Sequence, residues 1–304
     1  MEDKKVVILM STYNGEKYLA EQLNSLINQT YKNIEILIRD DGSNDNTIDI
    51  INEYAKNNSN IVVKIGENLG FINSFFELLK IADSNADYFA YCDQDDVWME
   101  DKIERAVSFM NNSDSSKPVL YFSNSDYYDG EMNFLKTAEK NKIYNFRNSL
   151  VECVTQGMTM VINRTAKQLI AENRPNNCLY HDWWTYMICS GFGEIIYDDK
   201  SLVKYRRHNK SVTVEGKSPW QLFIWRVKNF FVGDSLKEIK GQWQDYKNFY
   251  YEKLNDKDKK LLNLFARKRY NFFVALKKTF YPKRFRRKII DEISVRVLFL
   301  IGKL

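Results

Sequence analysis

Three carboxylates, Asp93, Asp95 and Asp96, follow directly on the apolar run Tyr88-Phe-Ala-Tyr-Cys92, where a strand should end. Asp93 and Asp95, two residues apart, can both face a hard divalent ion whose other positions stay with water and phosphate oxygens. Magnesium or manganese is held beside a diphosphate in this way. A purely structural use is an acidic turn in which Asp96 caps a helix beginning near Glu100. What the other strand ends carry bears on the choice.

The elements around this turn alternate between β and α. Lys5-Val-Val-Ile-Leu-Met10 predicts a strand that runs into the turn Ser11-Thr-Tyr-Asn-Gly15, and Leu19, Leu23, Leu26 and Ile27 recur at helical spacing over 18–28. A second strand over 33–38 also ends in carboxylates, Asp40 and Asp41, before Gly42. A helix over 46–57, a strand over 61–65, a turn over 66–70 and a helix over 72–82 then lead to the run before Asp93. Such a succession builds a mostly parallel sheet flanked by helices. Ligands of these sheets collect at the carboxyl ends of the strands. Here three such ends carry Thr12 and Tyr13, Asp40 and Asp41, and Asp93 and Asp95. Asp41-Gly42-Ser43 is also a tight turn on backbone grounds alone. Gly66-Glu-Asn-Leu-Gly70 lacks the GxGxxG spacing and no GxxxxGK[ST] loop is present, which disfavours a nicotinamide site and a kinase-like phosphate cradle.

Composition narrows the class. The 304 residues, 44% apolar and 28% charged, suit a soluble α/β domain with an appendage. The N-terminus lacks the zones of a secretory signal, and apolar runs such as Val295 to Ile301 are too short to span a bilayer. Four cysteines without a CxxC pair and only two histidines leave no structural zinc pattern, so a reducing cytosol fits. Charge divides the chain: residues 1–200 hold 19 Lys and Arg against 31 Asp and Glu, and 201–304 hold 26 against 9. The basic part asks for an anionic partner. That partner is a nucleic acid or the cytoplasmic face of a membrane, and a nucleic-acid-binding protein would leave the acidic strand ends unexplained. From about Ser218 helical spacing links Trp220, Phe223, Ile224 and Val227, and later Leu261, Leu264, Phe265, Phe272, Phe273, Leu276 and Phe280. Lys283-Arg-Phe-Arg-Arg-Lys288 then opens a stripe of Phe285, Ile289, Ile293 and Val297. A basic helix of this kind lies in a membrane interface, or packs on the catalytic domain or on another subunit of a homo-oligomer.

Ser11-Thr-Tyr-Asn-Gly15, Arg39-Asp-Asp-Gly-Ser43, Asn68-Leu-Gly70 with Asn73, and Asp93-Gln-Asp-Asp-Val-Trp98 stand together in the order and spacing of one family. Over roughly residues 4–210 the chain resembles the family 2 glycosyltransferases, inverting enzymes of GT-A fold. The resemblance implies a Rossmann-like, mixed but mostly parallel sheet in a catalytic domain over 1–215, with the nucleotide sugar on 1–100 and the acceptor side on 101–215. The basic helical extension then occupies 216–304. The donor nucleotide is expected on Thr12, Tyr13, Asn14, Glu16, Asp40, Asp41, Asn68, Gly70, Asn73, Asp93 and Gln94, with Thr12, Tyr13 and Asp41 at the nucleoside and Asp93 at the ribose. Asp95 and His208 would hold Mg2+ or Mn2+, and Arg206 and Arg207, with Lys210 and Ser211, would add donors near the phosphates. Gly157, Met158, His181, Trp183 and Trp184 fall on the acceptor side, and Asp182 is the expected base.

The chemistry asks for these types. Displacing a nucleoside diphosphate from an anomeric carbon develops charge that a metal offsets, while a carboxylate takes the proton of the attacking hydroxyl. An aromatic, partly dry setting would raise the Asp182 pKa and let the tryptophans stack on sugar faces. Structurally, Asp182 also suits the cap of a helix running to Cys189. Tyr91 to Trp98, His181-Asp-Trp-Trp and Tyr205-Arg-Arg-His are most similar to bacterial rhamnosyltransferases that use dTDP-L-rhamnose to build cell-wall or capsular polysaccharide. The physics of these residues does not separate rhamnose from glucose, galactose or an N-acetylhexosamine carried on UDP. A lipid-linked or oligosaccharide acceptor and a peripheral, cytoplasmic place at the inner face of the cell membrane are the expected context. A sugar-phosphate nucleotidyltransferase needs a glycine-rich N-terminal loop with a basic residue, which Ser11 to Gly15 is not; a non-catalytic sugar-binding protein is the other alternative.

Overall fold

The structure, a computed structural model, describes residues 4–140, 143–208 and 235–304. Its contacts divide the chain into two compact units, one of residues 1–141, 154–174 and 188–207, the other of 142–153, 175–187 and 208–304. This differs from a linear division near residue 215, because two internal segments belong with the C-terminal helices. Lys210, Ser211, Trp220, Phe223, Ile224 and Val227 lie outside the described residues.

The first unit opens with β1 (Val6–Thr12), α1 (Leu19–Ile27), β2 (Ile34–Asp40), α2 (Thr47–Asn57), β3 (Ile61–Ile65), α3 (Phe71–Ile81) and β4 (Tyr88–Cys92). The alternation expected from the sequence is present, with ends shifted by one or two residues. All four strands are parallel, side by side in the order β3-β2-β1-β4. Val6 to Met10 and Tyr88 to Cys92 are buried throughout, which explains continuous apolar runs in place of alternation: both faces of a parallel sheet are covered. Leu19, Leu23 and Leu26 of α1 supply one cover.

Beyond β4 the sheet changes direction. After β5 (Val97–Trp98) and α4 (Lys102–Met110) come β6 (Val119–Tyr128), β7 (Phe134–Thr137), α5 (Phe146–Ser149), β8 (Met160–Asn163), α6 (Arg164–Glu172), α7 (His181–Phe192) and β9 (Glu194–Arg206). The order continues β4-β8-β6-β9-β5: β8 is antiparallel to β4 and β6, β9 runs parallel to β6, and β7 pairs with β6. Short β5 pairs with β9 through Val97 and Lys204, which ties the acidic turn to a strand far along the sequence. These later strands are split among helices and turns, so sequence periodicity gave no sign of most of them.

The second unit gathers α5, α8 (Ser235–Tyr250), α9 (Asp256–Phe265), α10 (Phe272–Thr279) and α11 (Ile289–Leu300). Its core is aromatic. Trp184 packs against Tyr246, Phe249 and Tyr250, and Phe265 meets Trp243, Phe285 and Phe299 edge-on. Such rings carry large apolar area, and their polar edges still need partners: Trp243 Nε1 donates to Leu150 O at 2.7 Å.

Candidate active site

The site forms where three parallel strands end. Register sets Thr12 opposite Asp40, and Thr12 Oγ1 donates to Asp40 Oδ2 at 2.9 Å. Asp40 also accepts from Gly42 N, Ser43 N and Ser43 Oγ. It is fully buried, and these bonds close the turn after β2. Gly42 makes that turn at φ +82°, a conformation that favours glycine. Asp41, 2% exposed, accepts from Arg39, from Leu69 N at 2.8 Å and from Gly70 N at 2.9 Å. It therefore holds the Asn68–Gly70 turn against the strand end. Asn68 Oδ1 accepts from Gly70 N, and Asn73 is taken up by Leu69 O and by Arg174, a residue with no motif to mark it.

The turn after β1 is fastened to the same framework. Asn14, at φ +47°, receives Asn44 N on its side chain and donates its own N–H to Ser43 Oγ. Glu16 accepts from the backbone and side chain of Asn46. Gln94 answers Tyr13 in both directions, its Oε1 accepting from Tyr13 N at 2.9 Å and its Nε2 donating to Tyr13 O at 3.0 Å. This approach explains Gly15, where an added Cβ would stand 2.3 Å from Gln94 Oε1. The Tyr13 ring stays 44% exposed. Asn14, Glu16 and Gln94, expected on the donor, thus spend groups on holding two loops together. Thr12 and Asp40 are covered, whereas Tyr13 is open.

Asp93 and Asp95 are half-buried and Asp96 is fully buried. Asp96 is not a helix cap, since α4 starts at Lys102 behind Asp101. Arg206, at the end of β9, holds the turn. Its N–H donates to Asp96 Oδ1 at 3.0 Å, its Nε to Asp95 O at 2.9 Å, and its Nη1 to Gly130 O at 3.0 Å. Nη2 pairs with Glu21, and the guanidinium lies 4.4 Å from the centre of the Tyr18 ring. Only 2% of Arg206 is exposed. Its Nε, Nη1 and Nη2 each donate to a protein oxygen, which is a different use from the expected place beside the donor phosphates. Arg207 donates its N–H to Tyr128 O and sets its guanidinium over Tyr127 and Tyr205.

The acidic turn fits a hard cation by its donor set. Asp96 Oδ2 is buried with no partner among the described residues, and burial followed by the charges of Asp95 and Asp93 pushes the Asp96 carboxyl well above the usual range. The charged form of Asp96 is thus disfavoured until a cation joins the turn. Two half-buried carboxylates beside it suit an ion with few protein ligands, the rest being water and phosphate oxygens. No cluster of three or more His, Cys, Asp or Glu is preassembled for a metal among the described residues. His208 is half-buried and closes the described stretch.

The residues expected on the acceptor side are mostly covered. Gly157 begins a short 3-10 turn, and Met158, 3% exposed, belongs to the sheet core. His181 is buried, and burial lowers its pKa to about 3. Trp183 donates Nε1 to Ser149 O at 2.6 Å, and Trp184 is fully buried. The expectation of sugar stacking on these two rings is corrected, since both are packed within the protein. Asp182 is the second residue of α7, half-buried, with Oδ1 accepting from Trp183 N at 2.7 Å; a cap stands before the helix and accepts from two or three residues on, so Asp182 is not the cap the sequence suggested.

The profile of the glycosyl transferase family 2 matches residues 7–169, more than half of the chain. The chain belongs to this family. This family 2 glycosyltransferase is 33% identical over 218 residues to the dTDP-rhamnosyl transferase RfbG of Shigella flexneri, a match covering 66% of this chain and 72% of that one. It is 33% identical over 168 residues to the UDP-Glc:alpha-D-GlcNAc-diphosphoundecaprenol beta-1,3-glucosyltransferase WfaP of Escherichia coli, covering 55% and 63%. Among solved structures it resembles S. aureus TarS 1-349 in complex with UDP-GlcNAc, at a TM-score of 0.56 and 18% identity, over 98% of this chain and 92% of that one. That likeness shows the GT-A fold expected from the motifs.

Proposed function

We propose that this glycosyltransferase moves a sugar from a nucleotide donor, with inversion, to a hydroxyl of a lipid-linked oligosaccharide in surface polysaccharide synthesis. The observation that carries the reading is the junction of the Thr12–Glu16, Asp40–Ser43 and Asp93–Asp96 turns at the carboxyl ends of β1, β2 and β4, the first fastened to the second by Asn14 and to the third by Gln94. Such a rim cups a ligand in the manner of open α/β sheets. Likeness to RfbG favours L-rhamnose carried on dTDP, and likeness to WfaP favours the lipid-linked acceptor. A UDP-hexose or N-acetylhexosamine donor is the alternative.

Asp95, with Asp93 beside it and His208 from the chain that follows β9, would hold Mg2+ or Mn2+, which as a Lewis acid offsets charge on the leaving diphosphate. The exposed Tyr13 ring offers a face to the base. Asp182 takes the proton of the acceptor hydroxyl as its oxygen bonds to the anomeric carbon, and the bond from that carbon to the diphosphate breaks on the opposite side. Incubating the purified chain with manganese and a panel of dTDP- and UDP-sugars tests this. Slow hydrolysis of dTDP-L-rhamnose alone is expected, and preference for a UDP-sugar would overturn the rhamnose assignment. A product with the donor's anomeric configuration retained would refute direct displacement.

A further inference from the structure

The helices α10 and α11 of the second unit carry an exposed apolar surface. On α11, Glu292, Val295, Leu298 and Phe299 face inward, where Phe299 meets Phe265 and Phe285. Every exposed residue of α11 is nonetheless aliphatic: Ile289, Ile290, Ile293, Val297 and Leu300. Ile290 is 73% exposed and Ile293 59%. A helix on a water-facing surface ordinarily turns charge outward. Here its charged residues are turned away from that face; Arg296, for example, bonds Glu292 and the carbonyls of Thr279 and Tyr281. Phe273 and Phe280, 73% and 76% exposed, extend the apolar area at α10.

Beside this face lies a cavity of about 550 Å³, lined by Lys247, Arg267, Lys268, Arg269, Tyr270 and Asn271, with no carboxylate in its wall. Tyr270 donates its hydroxyl to Leu300 O at 2.9 Å, which joins the cavity wall to the end of α11. Across residues 266–304 there are twelve Lys and Arg against two acids, Asp291 and Glu292. Glu292 is buried and satisfied by Phe285 N, Arg286 N and Arg296. The excess of cations is felt within the fold, where burial with Lys240 and Arg267 lowers the Lys278 pKa to about 8.

We propose that this is a docking surface for an anionic bilayer: the aliphatic face of α11 with Phe273 and Phe280 enters the boundary between headgroups and acyl chains, and the cationic cavity takes the phosphate of a lipid headgroup. An apolar helix face ringed by basic residues binds in this way. A second copy of the chain is a poorer occupant, because it would bring the same positive field against itself. The surface is independent of the donor sugar and of the assignment of Asp182.

Co-sedimentation of the full chain with vesicles tests the proposal. Binding is expected to phosphatidylcholine vesicles that contain phosphatidylglycerol, with little to phosphatidylcholine alone, and to fall as salt shortens the Debye length below about 10 Å. Ile293→Glu with Val297→Glu should abolish binding while leaving the melting temperature unchanged, since both side chains are exposed. Arg267→Gln with Arg269→Gln should weaken it about 30-fold, at about 1 kcal/mol per charge. Equal binding to both vesicle types, or wild-type binding by the glutamate variant, would overturn the proposal. So would a fall in melting temperature in that variant, which marks a face packed against protein. A dimer in light scattering that the same variant dissolves, without vesicle binding, would assign the face to a second copy; inorganic phosphate held by a chain that ignores vesicles would assign the cavity to a free anion.

Discussion

Replacing Arg206 should loosen the acidic turn before it loosens the fold. Arg206→Ala strands Asp95 O and Gly130 O, two carbonyls that accept from a buried guanidinium at 2.9 and 3.0 Å. Hydrogen bonds to a charged group contribute about 1.5–3 kcal/mol each, so these two account for about 3–6 kcal/mol. The Glu21 side chain is 58% exposed, and its ion pair is counted at the surface value, under about 1 kcal/mol. A loss of about 4 kcal/mol corresponds to a melting temperature about 10 °C lower, at about 2–4 °C per kcal/mol for a unit of this size. Arg206→Lys keeps the charge but not the fork, and should recover about half of that loss. The readout that distinguishes a positioning residue from a merely structural one is the manganese concentration for half-maximal transfer. It should rise in Arg206→Lys even below the melting transition, with kcat/KM falling about 100-fold through misplacement of the turn. Glu21→Gln serves as the control and should change either quantity little. Wild-type melting and manganese dependence in Arg206→Ala would refute the reasoning.

Asp95→Ala should remove transfer and metal-dependent nucleotide binding while the melting temperature stays within about 1 °C, because the side chain lies on a turn outside the core; calorimetric titration of nucleotide with and without manganese checks this, and equal affinities would remove Asp95 from the metal. Asp182→Asn should keep donor binding and lose turnover, since an amide preserves shape but cannot take the proton; near-normal initial rates would place the base elsewhere. His181 yields a pH signature in stability. Its pKa falls from the usual 6.5 to about 3 on folding, so the unfolded chain binds the proton more tightly, and stability is lost as pH drops from 6.5 toward 3. Linkage puts the loss at about 1.4 kcal/mol per unit, about 2 kcal/mol by pH 5. Urea melts at pH 7 and pH 5 should show that difference in the wild type and lack it in His181→Gln.

The local half of the architecture was legible in the sequence. Unbroken apolar runs such as Val6 to Met10 and Tyr88 to Cys92 mark strands covered on both faces, and the helices between them follow from spacing, because a βαβ succession is built from neighbours in sequence. The same reading placed Thr12, Asp40 and Asp93 at the carboxyl ends of strands and, with their motifs, identified the family. Tertiary structure decided what each side chain does there. Arg206 stands 110 residues from Asp96, and no spacing rule says that β5 and β9 pair so as to lay its guanidinium on the acidic turn. Burial was equally hidden for Met158, His181, Trp183 and Trp184, since Trp and His serve a sugar face and a core alike until their neighbours are known. Segments 142–153 and 175–187 join helices whose sequences begin far downstream. Some of their side chains bond long-range partners, as in Asn148 Nδ2 to Phe285 O. Short-range periodicity records which side of an element is apolar. What that side meets is settled by the packing of distant parts: Arg206 is spent on the acidic turn of its own unit, and Trp183 and Trp184 on the aromatic core of the other.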